Sequence, residues 1–225
     1  MFVGFALAAA CLATFGVAQP GRAHARPVVP VALSCARPGG TLVAYGHSYL
    51  RSPRLGGATT SYVSLAAASL GAKPVIRAVN RGDTADIEQL VRSGPTRWVP
   101  GSAKLVLIDS GINDIARRVP AAQWTASLRR TLAAFSVRPV PTILLVRPLA
   151  VAQAGHPGRD ARTVANYAAA QRSVASAFAA VRIVDASSGW DPRKDLSREG
   201  VHPNAAGMQH IARAVQGSAQ SSCRP

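Results

Sequence analysis

Between residues 41 and 217, short strand-type runs alternate with longer helical stretches, and this alternation leaves the chain few folds to adopt. The clearest run is Lys104–Asp109, whose Leu-Val-Leu-Ile centre is continuously apolar. A strand with one wet face alternates apolar and polar residues. A continuously apolar strand is buried on both faces, as in a parallel sheet. Thr41–Tyr45, Pro74–Val79, Pro141–Val146 and Val181–Val184 read as four more strands, and Thr60–Leu70, Asp83–Arg92, Ala121–Phe135 and Arg162–Ala180 as the helices between them. A last helix starts near Asn204, a suitable N-cap. In it Met208, Ile211, Ala212 and Val215 fall on one face at i, i+3, i+4 and i+7. Strands joined by helices of this length imply right-handed crossovers. The expected architecture is therefore α/β, a five-stranded parallel sheet covered by helices on both sides. A chain of 225 residues is long enough for one such domain with a sizeable core. There is no internal repeat, and residues 150–160, with Gly155, Pro157 and Gly158, read as a loop.

The N-terminus reads differently. Phe2 to Val17 is almost wholly apolar and small, Gln19-Pro20-Gly21-Arg22 breaks it, and Ala23-His24-Ala25 offers a small-x-small cleavage site. Residues 1–25 are expected to be an export signal, although no Lys or Arg precedes the apolar run. A permanent membrane anchor is the alternative, but the run is short for a spanning helix. Lipidation of Cys11 has too little apolar sequence before it. Residues 26–40 then form an extended lead-in, 41–217 the folded domain and 218–225 a tail. The expected location is secreted or cell-envelope, with no membrane span left after cleavage and the mature protein a monomer. Of the three cysteines, Cys11 leaves with the signal. Cys35 and Cys223 remain as an even pair near the two ends, which reads as a disulfide in an oxidising compartment.

The formal net charge is +16, carried almost entirely by arginine, since lysine occurs only at Lys73, Lys104 and Lys194. An Ala/Arg bias from a GC-rich genome explains it without function. The functional alternative is attraction to an anionic envelope polymer or lipid surface. Nucleic acid is not an expected partner, because the arginines are scattered and no aromatic–basic interleaving occurs.

Four separated segments carry the chemistry: Gly46-His47-Ser48, Asn80-Arg81-Gly82, Gly111-Ile112-Asn113-Asp114 and Glu199-Gly200-Val201-His202-Pro203. Ser48, Gly82 and Asn113 each lie just past a predicted strand, at the edge where open parallel sheets bind ligands. His202 precedes the last helix and can fold back to that edge. A serine hydroxyl is a weak nucleophile that needs an adjacent base. His202 is the candidate base, and Glu199 can hold its tautomer and stabilise the imidazolium. The backbone N–H groups of Ser48 and Gly82 with the Asn113 amide are candidate oxyanion donors. Gly82 is expected to let the backbone come close to substrate. These are the parts of ester hydrolysis through an acyl-enzyme, with the ester as partner. No Cys/His/carboxylate cluster has zinc spacing and no phosphate loop follows a strand, so neither metal nor cofactor is expected.

Together these segments resemble the blocks of the SGNH (GDSL) hydrolase family, with similarity from about Thr41 to Val215. There a Gly-Asp-Ser block carries the nucleophile, Asn-x-Gly the oxyanion glycine, Gly-x-Asn-Asp the oxyanion asparagine and Asp-x-x-His-Pro the acid and base. The resemblance implies a flavodoxin-like three-layer α/β/α sandwich. It also implies an esterase or lipase-like activity through Ser48 and His202, with Glu199 in the acid position.

Two residues depart from the pattern. His47 replaces the Asp before the nucleophile, and that Asp usually supports the turn rather than the chemistry; a catalytic role for this second imidazole near Ser48 is the alternative. Glu199 replaces Asp with a side chain one methylene longer. If it does not reach, a backbone carbonyl can orient His202 and leave a Ser–His dyad, with Asp195 as a remote substitute. A transacylase, in which a sugar or glycerol hydroxyl resolves the acyl-enzyme, uses the same groups. A reading of another class is a non-catalytic envelope-binding module on a decayed hydrolase scaffold. Ser110 has no base paired with it and reads as structural. His156 sits in an exposed loop with a place along the substrate cleft as its alternative, Trp190 packs near the last loop with substrate stacking as its alternative, and His24 and His210 have no ligand-like partners.

Overall fold

The computed structural model describes residues 40–52, 57, 60–93, 103–136, 142–151 and 161–221. The expected signal, the lead-in as far as Gly39, Cys11, His24, Cys35, His156 and Cys223 lie outside them.

Five strands form one all-parallel sheet: β1 Thr41–Gly46, β2 Lys73–Ala78, β3 Ala103–Asp109, β4 Thr142–Val146 and β5 Val181–Val184. The spatial order is β2-β1-β3-β4-β5. β5 keeps its sequence-read bounds, and each of the other four differs from them by one residue at one end or both. The helices are α1 Tyr62–Ser69, α2 Thr84–Ser93, α3 Ile112–Ala116, α4 Ala121–Ser136, α5 Ala161–Ala175, α6 Pro192–Asp195 and α7 Ala205–Ser221. Successive side chains of a strand point to opposite faces, so each central strand feeds two cores. Leu42, Ala44, Leu105, Leu107 and Leu144 pack with Tyr62 and Val63 of α1 and Met208, Ile211 and Val215 of α7. Val43, Tyr45, Val106, Ile108 and Leu145 pack with Ile87 of α2, Trp124 and Leu128 of α4 and Val164 of α5. The result is the three-layer α/β sandwich.

Three local differences have physical causes. The helix expected over Arg162–Ala180 stops at Ala175, because Phe178 N–H turns back to Ala175 O at 3.0 Å and Val181 N–H to Phe178 O at 3.0 Å, which starts β5. Phe178 packs partly buried against the second core there, so tertiary packing overrides the helix propensity of Ala. The short helices α3 and α6 carry too few residues for a periodic signal. The last helix continues through Ser221.

The order β2-β1-β3 makes the chain reverse direction across the sheet between β1 and β3, the switch point where a crevice opens beyond the strand ends. Tyr45 stands beside Ile108, and Asp109 beside Val146. The segments after β1, β2 and β3 therefore leave the sheet at one edge.

Candidate active site

The nucleophile segment is anchored to the core. β1 ends at Gly46, His47 is extended with φ −109°, and Ser48 opens a single 3₁₀ turn, Ser48–Arg51. A Cβ on Gly46 would lie 2.4 Å from Leu50 Cδ1 and 2.8 Å from Asp109 O, so only glycine lets the chain leave between β3 and the turn. Behind Ser48 lies a buried polar group of three. His47 is 1% exposed, and its Nε2 lies 3.3 Å from Asp109 Oδ1. The Tyr62 hydroxyl donates to the other Asp109 oxygen at 2.7 Å. Burial, and then the Asp109 carboxylate, push the Tyr62 phenol well above its usual range, which keeps it a donor.

The base segment is built from local turns. Leu196 and Pro203 form an antiparallel bridge. Inside it Ser197 N–H donates to His202 O at 2.8 Å and Gly200 N–H to Ser197 O at 2.8 Å. Gly200 has φ 73°, a left-handed conformation that suits glycine. Asn204 secures the exit: its amide donates to Leu196 O at 2.9 Å, and its Oδ1 accepts from Gly207 N–H at 3.0 Å, capping α7. This fold puts Glu199 and His202 side by side, with His202 Nδ1 hydrogen-bonded to Glu199 Oε1. The other ring nitrogen, Nε2, lies 2.9 Å from Ser48 Oγ. If Nδ1 carries the proton, Nε2 presents its lone pair to the hydroxyl, the arrangement general-base catalysis needs. Glu199, one methylene longer than the Asp of the family pattern, thus reaches His202. Asp195 is engaged elsewhere, accepting from Asp191 N–H at 2.8 Å and facing His210.

Gly82 and Asn113 come together at the same edge. The Asn113 amide donates to Gly82 O at 2.9 Å. Gly82 N–H itself donates to Val79 O at 3.0 Å, closing a turn in which Arg81 has φ 58°. A Cβ on Gly82 would meet Val79 Cβ at 2.7 Å, so the steric need for glycine arises from Val79 as well as from any substrate. Asp114 is buried and latches the two segments. It accepts from Thr84 N–H at 3.1 Å and from the Thr84 hydroxyl at 2.9 Å. Burial raises the Asp114 carboxyl above its usual range, although the Thr84 bonds oppose the shift. Arg117 adds a surface clasp, donating to Asp83 at 2.5 Å and to Arg81 O at 2.8 Å.

Trp190 donates from Nε1 to Ala150 O at 2.8 Å, pinning the loop after β5 to the loop after β4. Its ring meets His210 edge-on at 5.7 Å. Ser110 is buried, with its hydroxyl unpartnered among the described residues. Sequence reasoning read Asp109, with Ser110, as structural, and passed over Tyr62, Tyr49 and Thr84. A carboxylate ending a buried strand was the available signal for Asp109. Nothing local marks Tyr62, which comes from another element. Among the described residues no group of His, Cys, Asp and Glu could hold a metal ion.

Solved structures share this architecture. A lipolytic protein of the G-D-S-L family from Desulfitobacterium hafniense matches with TM-score 0.66 and 15% identity, over 81% of this chain and 99% of its own. A lipase/acylhydrolase from Enterococcus faecalis matches with TM-score 0.66 and 15% identity, over 83% and 98%. An acetylxylan esterase from Geobacillus stearothermophilus matches with TM-score 0.63 and 20% identity, over 85% and 96%. At these identities they speak to the fold. No curated protein matches the sequence. The model of the GDSL-like lipase/acylhydrolase family matches residues 43–210, which span all four segments. This chain belongs to the GDSL-like lipase/acylhydrolase family, a family of hydrolases and esterases.

Proposed function

We propose that this chain is an exported serine hydrolase that cleaves carboxylic esters through an acyl-enzyme on Ser48. The observation that carries the reading is the pair of contacts on one imidazole, Ser48 Oγ at 2.9 Å from Nε2 and Glu199 on Nδ1. In the proposed cycle His202 takes the hydroxyl proton as Ser48 Oγ attacks the ester carbonyl carbon. Glu199 stabilises the imidazolium. The oxyanion is held by the Ser48 N–H and the Asn113 amide, and by Gly82 N–H once its turn bond to Val79 relaxes. Collapse expels the alcohol, which takes the proton from His202. Water, deprotonated by His202, then releases the acid and restores Ser48.

Exposed Arg51, Arg81, Arg118 and Arg198 flank the four segments, and with the net charge of +16 they favour an ester on an anionic polymer or lipid. Export and a Cys35–Cys223 bridge complete the proposal. Turnover of p-nitrophenyl esters of increasing acyl length, with an acetylated polysaccharide in the series, tests it. No turnover on any of them overturns the hydrolase reading in favour of a binding module. Product analysis with glycerol or a sugar present separates hydrolysis from acyl transfer. Non-reducing peptide maps of protein from the medium should show Cys35 joined to Cys223, and free thiols there would remove the bridge.

A further inference from the structure

The four motifs give no role to the residue that follows Ser48. Tyr49 is buried, and its hydroxyl donates to Val201 O at 2.5 Å, the carbonyl just before the candidate base. Its ring lies 5.7 Å from the His202 imidazole, tilted by 60°. On its other side the His47 ring meets it edge-on, 4.7 Å away at 72°. His47 in turn faces Asp109, which accepts from Tyr62. One unbroken series of contacts thus runs from the end of β3 through His47 and Tyr49 to His202.

The turn bonds of the base loop set its internal shape but not its distance from Ser48. Side-chain hydrogen bonds from Ser48 to His202 and from Tyr49 to Val201 cross that gap. The first is interrupted in any cycle that acylates Ser48, because Oγ then has no proton to give. The second ends on a backbone carbonyl that takes no part in bond making, so it persists. An aromatic ring at 47 also supplies an edge for Tyr49 that an Asp there could not.

We propose that Tyr49 is a positioning residue, which keeps the His202 imidazole in register with position 48 while Ser48 Oγ is acylated, and that His47 braces it from behind. This rests on the hydrolase reading above. The hydroxyl is the part to remove. Losing a tether of this kind shifts the base by a fraction of an ångström, and a shift of about 1 Å costs on the order of 10²-fold in rate.

The test uses Tyr49→Phe in the full chain with p-nitrophenyl acetate, together with the proton NMR resonance of His202 Nδ1–H, which reads its bond to Glu199 without turnover. The expected result is a kcat about 10-fold lower with KM within about twofold, and an Nδ1–H resonance moved upfield and broadened. A kcat within about twofold of wild type overturns the proposal. So does a loss of kcat with the resonance unmoved, since Tyr49 would then act on substrate rather than on His202. A wild type with no turnover sinks the hydrolase reading instead, and the resonance alone then decides Tyr49. Tyr49→Leu, which also removes the ring, should show the larger change in both readouts, and a smaller change than in Tyr49→Phe overturns the proposal.

Discussion

The two halves of the candidate site are built in opposite ways. The Ser48 turn is set against groups from other elements: His47 faces Asp109 at 3.3 Å, and Asp109 accepts from Tyr62, all buried. The loop from Leu196 to Asn204 is held mainly by neighbours, with Ser197 on His202, Gly200 on Ser197 and Asn204 on Leu196. It is half-exposed. Damage to the first half should therefore register in both stability and activity. Damage to the second should register in activity alone, since its turn bonds survive the loss of one side chain.

The largest effect expected is from Ser48→Ala, which removes the group both halves converge on. Steady-state kinetics should show kcat lower by about 10³-fold or more, and a fluorophosphonate should label Ser48 in wild type and nothing in the variant. Near wild-type turnover would dissolve the comparison, because there would be no site for the halves to share. Glu199→Gln strikes the local half. It should cut kcat by about 10²–10⁴-fold, as loss of the acid does in related triads, with the melting temperature nearly unchanged. A loss below about 10-fold would make the base loop a dyad oriented by backbone.

His47→Asp strikes the anchored half and should register in stability as well as in activity. It restores the family residue, yet it sets a second carboxylate beside buried Asp109. Like charges in that space cost about 3 kcal/mol, read as a melting temperature lower by roughly 6–12 °C. Asp109→Asn added to it should recover most of the loss. If His47→Asp alone is as stable as wild type, the buried group is not the anchor. The smallest effect lies away from both halves, at Glu88 between α2 and α4. Its hydrogen bond from Arg130 holds its carboxyl below the usual range, although burial opposes this. A lowered carboxyl stabilises the fold above the ordinary value of 4.5 and loses that contribution as pH falls through its folded value. Acid titration of melting temperature should thus differ between wild type and Glu88→Gln by no more than about 2 °C, at constant activity near neutrality.

Much of this architecture was legible in the chain. The continuous apolar run at Leu105–Ile108 announced a strand buried on both sides, and the helical spacing of Met208, Ile211 and Val215 announced the face of α7. Such signals are local and periodic, so they survive without coordinates. The end of α5 was not legible, because Ala-rich sequence favours helix until packing of Phe178 stops it. Ser48, Gly82, Asn113 and His202 were also legible as candidates, since each sits in a short motif at a strand end.

Partnership across the fold is what the sequence by itself left open. Whether Glu199 meets His202 depends on the turn that Ser197 and Gly200 close, and a separation of three residues does not state it. That Gly82 N–H turns back to Val79 O depends on the conformation of Arg81. The setting of His47 depends on Asp109 and Tyr62, which lie 62 and 15 residues further along the chain. Hydrophobic periodicity decides which side of an element is buried. Which polar groups face one another inside is decided when the layers close, because a buried polar group must find its partner from whatever element arrives beside it.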